Sequence, residues 1–180
     1  MSQAIKNPIG VDVGFKHLAV LSSGKRYKKC SPVFAANQLA ANHDLICTEA
    51  RSPVLAKFDW FFDLLDEACA KHSRVHVYID RYYPSTRTCS NCFFIREAVP
   101  LSVRTWGCNE CFTIHDRDVN AAKNILRVGL SLHNQQSLKR DRRPHLLPLL
   151  KDAFTPQPHA LTSPLATGFS AHRAQLSEEC

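Results

Sequence analysis

No apolar run in the chain reaches the roughly 18 residues that a bilayer-spanning helix requires. No hydrophobic segment of the kind that directs secretion follows Met1. These absences argue against a membrane partner and against an oxidising compartment. No single basic tail accounts for the positive charge. Residues 1–80 hold ten basic and eight acidic groups, 81–130 seven and four, and 131–180 six and four. No internal repeat is found beyond two short cysteine pairs.

What is present fits one domain of ordinary size. The chain has 180 residues, of which 44% are hydrophobic and 22% charged, close to globular averages. The formal charge of +7 favours polyanionic partners. Residues 8–14, 17–22 and 25–30 read as three strands of an opening meander. Ser31-Pro32 is an N-cap and N1 pair for a helix over Val33–Asn42. Residues 44–48 form the next strand, ending at Glu49, and Pro53 then breaks the chain. A helix over Lys57–Lys71 sets Phe58, Phe61, Phe62, Leu65, Ala68 and Cys69 on one face. Val75, Val77 and Ile79 alternate in a following strand. Asp116 caps a last helix expected to run to about Val128 and to stop at Gly129. Half of the ten prolines lie in 131–180, so that tail is expected to be largely disordered, with a short helix at His145–Phe154.

Cysteine is the informative residue. Four of the eight stand as Cys89-x-x-Cys92 and Cys108-x-x-Cys111, separated by 15 residues. In a reducing compartment, close pairs argue for metal rather than disulfides. Zn²⁺ takes four tetrahedral thiolates, and two such knuckles close the shell, leaving no open position for catalysis. Coincidence, or a pair of redox motifs, is the competing explanation. Phe93 and Phe112 stand where glycine would ease each knuckle. Cys30, Cys47 and Cys69 read as buried small apolar residues and Cys180 as an exposed terminus.

Three acids form a second constellation. Asp12 interrupts an apolar strand, and a lone buried carboxylate is costly unless paired or bound to a cation. A solvent-facing strand end is its plainer reading. Glu49 ends the fourth strand and is unremarkable alone. Asp118 lies in the first turn of the last helix, where the dipole favours an acid in any case. Together they match the acidic triad of an RNase H-like fold, in which the first and fourth strands are neighbours. Clustered carboxylates of this kind hold two Mg²⁺ ions about 3.5–4 Å apart for phosphodiester cleavage.

GVDVGFKHLAVLSSG (10–24), YYPSTRTCSNC (82–92) and RTWGCNECFTIHDRDVNAAKNIL (104–126) closely resemble the TnpB (OrfB) family of the IS200/IS605 and IS607 insertion sequences. The likeness covers roughly 8–130 and is most specific over 82–126. It implies an α/β fold: a RuvC, RNase H-like mixed sheet flanked by helices at 8–80 and 116–130. A zinc ribbon with four cysteine ligands is inserted at 81–115. The implied activity is RNA-guided, metal-dependent DNA cleavage, with DNA and guide RNA as partners, in the nucleoid-associated cytoplasm of a prokaryote. Asp12, Glu49 and Asp118 become the catalytic acids and the ligands of Mg²⁺ or Mn²⁺. Cys89, Cys92, Cys108 and Cys111 hold structural Zn²⁺. Glu49 is followed by Ala50-Arg51, whereas the family reads Glu-Asp-Leu. Arg117 and Asn120 belong to the signature, and surface pairing and helix capping account for them without a catalytic role.

Little chain precedes Asp12, and the segment between the first two acids is short, so a truncated copy is expected. The competing reading is an inactive zinc-ribbon remnant that binds nucleic acid. Arg81, Arg87, Arg104, Arg117 and Lys123 would then contact phosphates. Tyr82, Tyr83 and Trp106 are either stacking surfaces for bases or packing around the knuckles.

Overall fold

The computed structural model describes residues 5–28, 31–51, 53–98, 100 and 102–140. Three strands open the chain: β1 (Pro8–Val13), β2 (Ala19–Leu21) and β3 (Arg26–Tyr27). Helix α1 (Pro32–Asn42) begins on Pro32, whose fixed φ suits a first helical residue. Next come β4 (Leu45–Glu49), a 3₁₀ turn over Pro53–Phe58, α2 (Asp59–Lys71) and β5 (Val75–Ile79). A loop-rich segment then carries β6 (Thr105–Gly107) and β7 (Ile114–Asp116), and α3 (Arg117–Arg140) follows.

The first five strands form one mixed sheet in the order β3-β2-β1-β4-β5. β1 to β3 pair antiparallel, as the meander predicts, while β1, β4 and β5 run parallel. α1 and α2 cover one face. Ile9, Val11, Val13 and Ile46 pack there against Ala35, Ala36, Leu39, Phe61, Phe62 and Leu65. All six apolar residues expected on the buried face of a helix over Lys57–Lys71 are buried, and so is Cys47. α3 covers the opposite face, where Ile125 meets Leu45, Cys47, Val77 and Ile79. Strand side chains alternate between faces, so Asp12 (two residues on from Gly10) and Glu49 (two on from Cys47) lie on the α3 side.

β3 is shorter than the strand expected over 25–30, and two helices begin or end away from their sequence expectation. α2 starts at Asp59, because the chain after Pro53 first winds as a 3₁₀ turn. α3 does not stop at Gly129 but continues to Arg140, so residues 131–140 are helical. Gly129 serves close packing: a Cβ there would sit 2.7 Å from Cys47 Cβ and closer still to its Sγ. The glycine lets the helix axis approach β4, and helical φ/ψ is as open to glycine as to other residues. Cys30, Cys180 and the helix expected at His145–Phe154 lie outside the described residues, as does 141–180. Among the described residues, no helix is long and apolar enough to cross a membrane.

Candidate functional site

Cys89, Cys92, Cys108 and Cys111 converge, with their sulfurs all within 4.8 Å of one another. Cys89 Sγ lies 3.6 Å from Cys111 Sγ, and Cys92 Sγ lies 3.5 Å from Cys108 Sγ. Those separations are far longer than a disulfide bond and suit four sulfurs around one ion. Each knuckle is closed by backbone bonds: Phe93 N donates to Cys89 O, and Phe112 N to Cys108 O. Phe93 (φ 68°) and Phe112 (φ 57°) adopt the left-handed conformation that the knuckle demands, so both carry the strain a glycine would avoid. Trp106 is buried against Cys89 and Cys108, with its ring 4.7 Å from that of His115. Packing therefore accounts for Trp106. Tyr83 packs beneath α3, and Tyr82 alone of the three is widely exposed, at 77%.

The thiols are electrostatically unequal. Burial pushes Cys92 up to about 12 and raises Cys89 too, whereas hydrogen bonding with the Thr113 hydroxyl draws Cys111 down to about 5. A divalent cation removes this inequality, because a coordinating thiol is deprotonated outright. His115 Nε2 lies 3.1 Å from Cys89 Sγ. The donor set fits a structural metal ion: four soft ligands at mutual distances a tetrahedral shell can use.

The acids gather more loosely. Parallel pairing matches Val11 with Thr48, and one further step sets Asp12 beside Glu49. Asp12 is held well above the usual carboxylate range, first by burial and then by the charges of Glu49 and Asp118, with Arg117 opposing. Burial also raises Glu49, although the Ser85 hydroxyl donates to its Oε1 at 2.5 Å and pulls the other way. Arg104 Nη1 lies 3.4 Å from Asp118 Oδ1. Asp116 caps α3 as expected: its Oδ1 accepts from Asp118 N and Val119 N, and its Oδ2 pairs with Arg26 at 2.9 Å. Among the described residues, the cysteines are the group of three or more candidate ligands with every ligand atom within 4.8 Å. The carboxylates are thus neighbours in the electrostatic sense without closing into so tight a set.

The basic residues sit around this region with partners of their own. Arg81 lies over the Tyr82 ring at 4.8 Å, Arg87 Nε donates to Arg96 O, and Arg117 Nη1 donates to Pro100 O. Arg81, Arg87, Arg104 and Lys123 are exposed, and Arg117 is half-buried. Asn120 is neither a cap nor a surface residue. It is buried, donating to Thr88 O at 2.8 Å and accepting from Ser90 N at 2.9 Å. Asn124, four residues on, donates to Ser85 O and Thr88 O at 2.9 and 2.6 Å. Sequence reasoning passed over Ser85 and Asn124. The spacing of Asn120 and Asn124 by four was the available signal, since it stacks two amides on one helix face. On the other face of the sheet, Thr48, His76 and Asp66 line up at 3.0 and 2.6 Å. Thr48 has no exposed surface, so this row anchors α2 to the sheet and offers no nucleophile.

Residues 58–125 match the family model for the Cas12f1-like TNB domain. A "Putative RNA-guided DNA endonuclease" of Streptomyces pristinaespiralis is 48% identical over 68 residues, which are 38% of this chain and 17% of the relative. The "TnpB-like protein L79" of Acanthamoeba polyphaga mimivirus is 48% identical over 48 residues, 27% of this chain and 9% of the relative. The chain therefore aligns with less than a fifth of the length of either relative. A chain from the cryo-EM structure of the Cas12f1–sgRNA–target DNA complex superposes with a TM-score of 0.50 at 15% identity, covering 70% of this chain and 52% of that one. The matched domain spans all four clustered cysteines, and over this stretch the chain is similar to TnpB-like proteins.

Proposed function

We propose that the chain carries the RuvC-type nuclease core and zinc ribbon of a TnpB-like RNA-guided DNA endonuclease. In this reading, 8–80 and 116–130 form an RNase H-like core, 81–115 is the inserted ribbon, and 131–180 lies outside the catalytic unit. The mixed sheet order, with β1 and β4 parallel at its centre, supports the core assignment. The observation that carries the reading is the parallel register of β1 and β4, which sets Asp12 beside Glu49, and the electrostatics agree with it. Glu49 and Asp118, from segments 37 and 106 residues away, are the two largest charges raising Asp12. A protein that collects like charges at a strand end is built to receive cations there.

Asp12, Glu49 and Asp118 would hold Mg²⁺ or Mn²⁺, and their hard oxygen donors fit such ions. When bound, paired ions supply a nucleophilic water and charge neutralisation at the phosphodiester. The chain's own contribution is placement. β1 and β4 fix two carboxylates side by side, and the Asp116 cap fixes the first turn of α3 that bears the third. Arg104 reaches this turn from the ribbon and can exchange Asp118 for a substrate phosphate. Arg81, Arg87, Arg117 and Lys123 extend the positive surface for DNA, and guide RNA is the further partner of the complete system. The cysteine cluster would hold Zn²⁺, keeping the ribbon folded beside the acids. A prokaryotic, transposon-encoded protein working at the nucleoid follows from this reading.

The test is cleavage of single-stranded DNA with Mg²⁺ or Mn²⁺. Cutting is expected in the wild type and absent in Asp12→Ala and Asp118→Ala. DNA binding with no cutting by wild-type protein at any metal concentration would leave a binding module in its place.

A further inference from the structure

Ser85 lies in the turn that leads from β5 into the first cysteine knuckle. Its side chain is buried at 3% exposure, and its hydroxyl donates to Glu49 Oε1 at 2.5 Å. The turn around it is tightly wound: Ser85 N donates to Tyr83 O, and Arg87 N and Thr88 N both donate to Pro84 O. α3 then grips the same turn. Asn120 and Asn124 each donate to both Ser85 O and Thr88 O, and Asn120 also accepts from Ser90 N. Thr88 and Ser90 flank Cys89, which is fully buried in the sulfur cluster. One hydrogen-bonded unit therefore joins three things: the knuckle that bears Cys89, the hydroxyl that holds Glu49, and the helix that bears Asp118.

We propose that Ser85 is a positioning residue for the carboxylate site, orienting Glu49 to receive a divalent cation, and that Asn124 and Asn120 lock Ser85 to the folded ribbon. A glutamate at a strand end has three free torsions, and a single fixed donor removes most of that freedom. The donor occupies one of about four lone-pair positions on the carboxylate, leaving the rest for a cation. Partners behind a metal ligand of this kind are worth about 10–100-fold in metal affinity. The inference rests on the carboxylate reading above.

The experiment is Mn²⁺ titration of the full chain, followed by the electron paramagnetic resonance signal of free Mn²⁺, with zinc content and thermal unfolding measured on each variant. Ser85→Ala is expected to weaken Mn²⁺ binding about 10-fold while retaining one zinc and a melting temperature near that of wild type. Ser85→Thr, which keeps the hydroxyl, is expected to restore binding. Asn124→Ala should weaken binding without touching any acid, and its effect should not add to that of Ser85→Ala, because both act through one path. Wild-type affinity in Ser85→Ala, with binding abolished in Asp12→Asn, would overturn the role of Ser85 and leave the carboxylate reading intact. Failure of wild-type protein to bind Mn²⁺ would overturn both. Loss of zinc or of cooperative unfolding in Ser85→Ala together with loss in Ser85→Thr would reduce Ser85 to a structural residue and overturn the proposal as well.

Discussion

Gly10→Ala tests the contact on which the site geometry depends, the crossing of α3 over β1. A methyl group at Gly10 would lie 2.7 Å from Leu126 N and 2.8 Å from Leu126 Cβ, and closer still to Ala122 O. Comfortable carbon contacts lie at about 3.5–4.0 Å, so the helix must retreat by roughly 1 Å. Two of the three obstructing atoms are helix backbone, which cannot swing aside as a side-chain tip does. Overpacking costs about 1–3 kcal/mol, and this geometry belongs at the upper end. Against that, alanine in a strand gains about 0.5–1 kcal/mol over glycine, leaving a net loss of about 2 kcal/mol. For a domain of this size the loss corresponds to a fall of roughly 6–10 °C in melting temperature. The assay is thermal unfolding followed by circular dichroism on zinc-replete protein. Gly107→Ala is the control, since nothing lies within 4 Å of a Cβ at that position. An unchanged or raised melting temperature in Gly10→Ala would refute the close approach of α3 to β1, on which the electrostatic influence of Asp118 on Asp12 depends.

Freshly purified protein should hold one zinc per chain by elemental analysis, and a value well below one would reject the thiolate site. Phe112 is 82% exposed and strained at φ 57°, so Phe112→Gly should stabilise the ribbon by up to about 1 kcal/mol, read as slower zinc release to a chelator; faster release would contradict the strain argument. Stability against pH should separate two aspartates of opposite sign. Burial and two like charges raise Asp12 above 3.8, so its ionised form weakens the metal-free fold. Asp12→Asn should therefore stabilise at neutral pH, with the gain shrinking as pH falls through the raised folded value and vanishing below 3.8. For Asp66, burial raises the pKa, but hydrogen bonds from His76 and Tyr78 outweigh it and hold the carboxyl below 3.8. Asp66→Asn should destabilise at neutral pH, and the loss should fade as pH falls from 3.8 through the lowered folded value. Urea midpoints of both variants between pH 7 and pH 3 check the signs, and like-signed curves would count against the assignment.

Much of this protein could be read from residue order alone, for a local reason. Two C-x-x-C knuckles specify their own sulfur geometry, since each pair of sulfurs is fixed by four consecutive residues. The positive φ of Phe93 and Phe112 followed from that knuckle shape. The apolar stripe of α2 and the alternation of β5 reported their own burial, because periodicity is a property of the segment itself. Asp116 as a cap was equally local. What the tertiary structure alone decided is where distant segments meet. Gly129 looked like a stop because glycine often ends helices, yet the same missing Cβ is what lets α3 lie against Cys47. Asn120 read as a capping or surface residue, and Asn124 drew no reading, until the backbone of 85–90 was folded onto them. Ser85 carried no signal, because its partner Glu49 lies 36 residues away and only the parallel register of β4 and β5 brings that strand end to the turn. Buried polar groups must find partners, and which partners is set by the packing of the whole chain rather than by sequence neighbours.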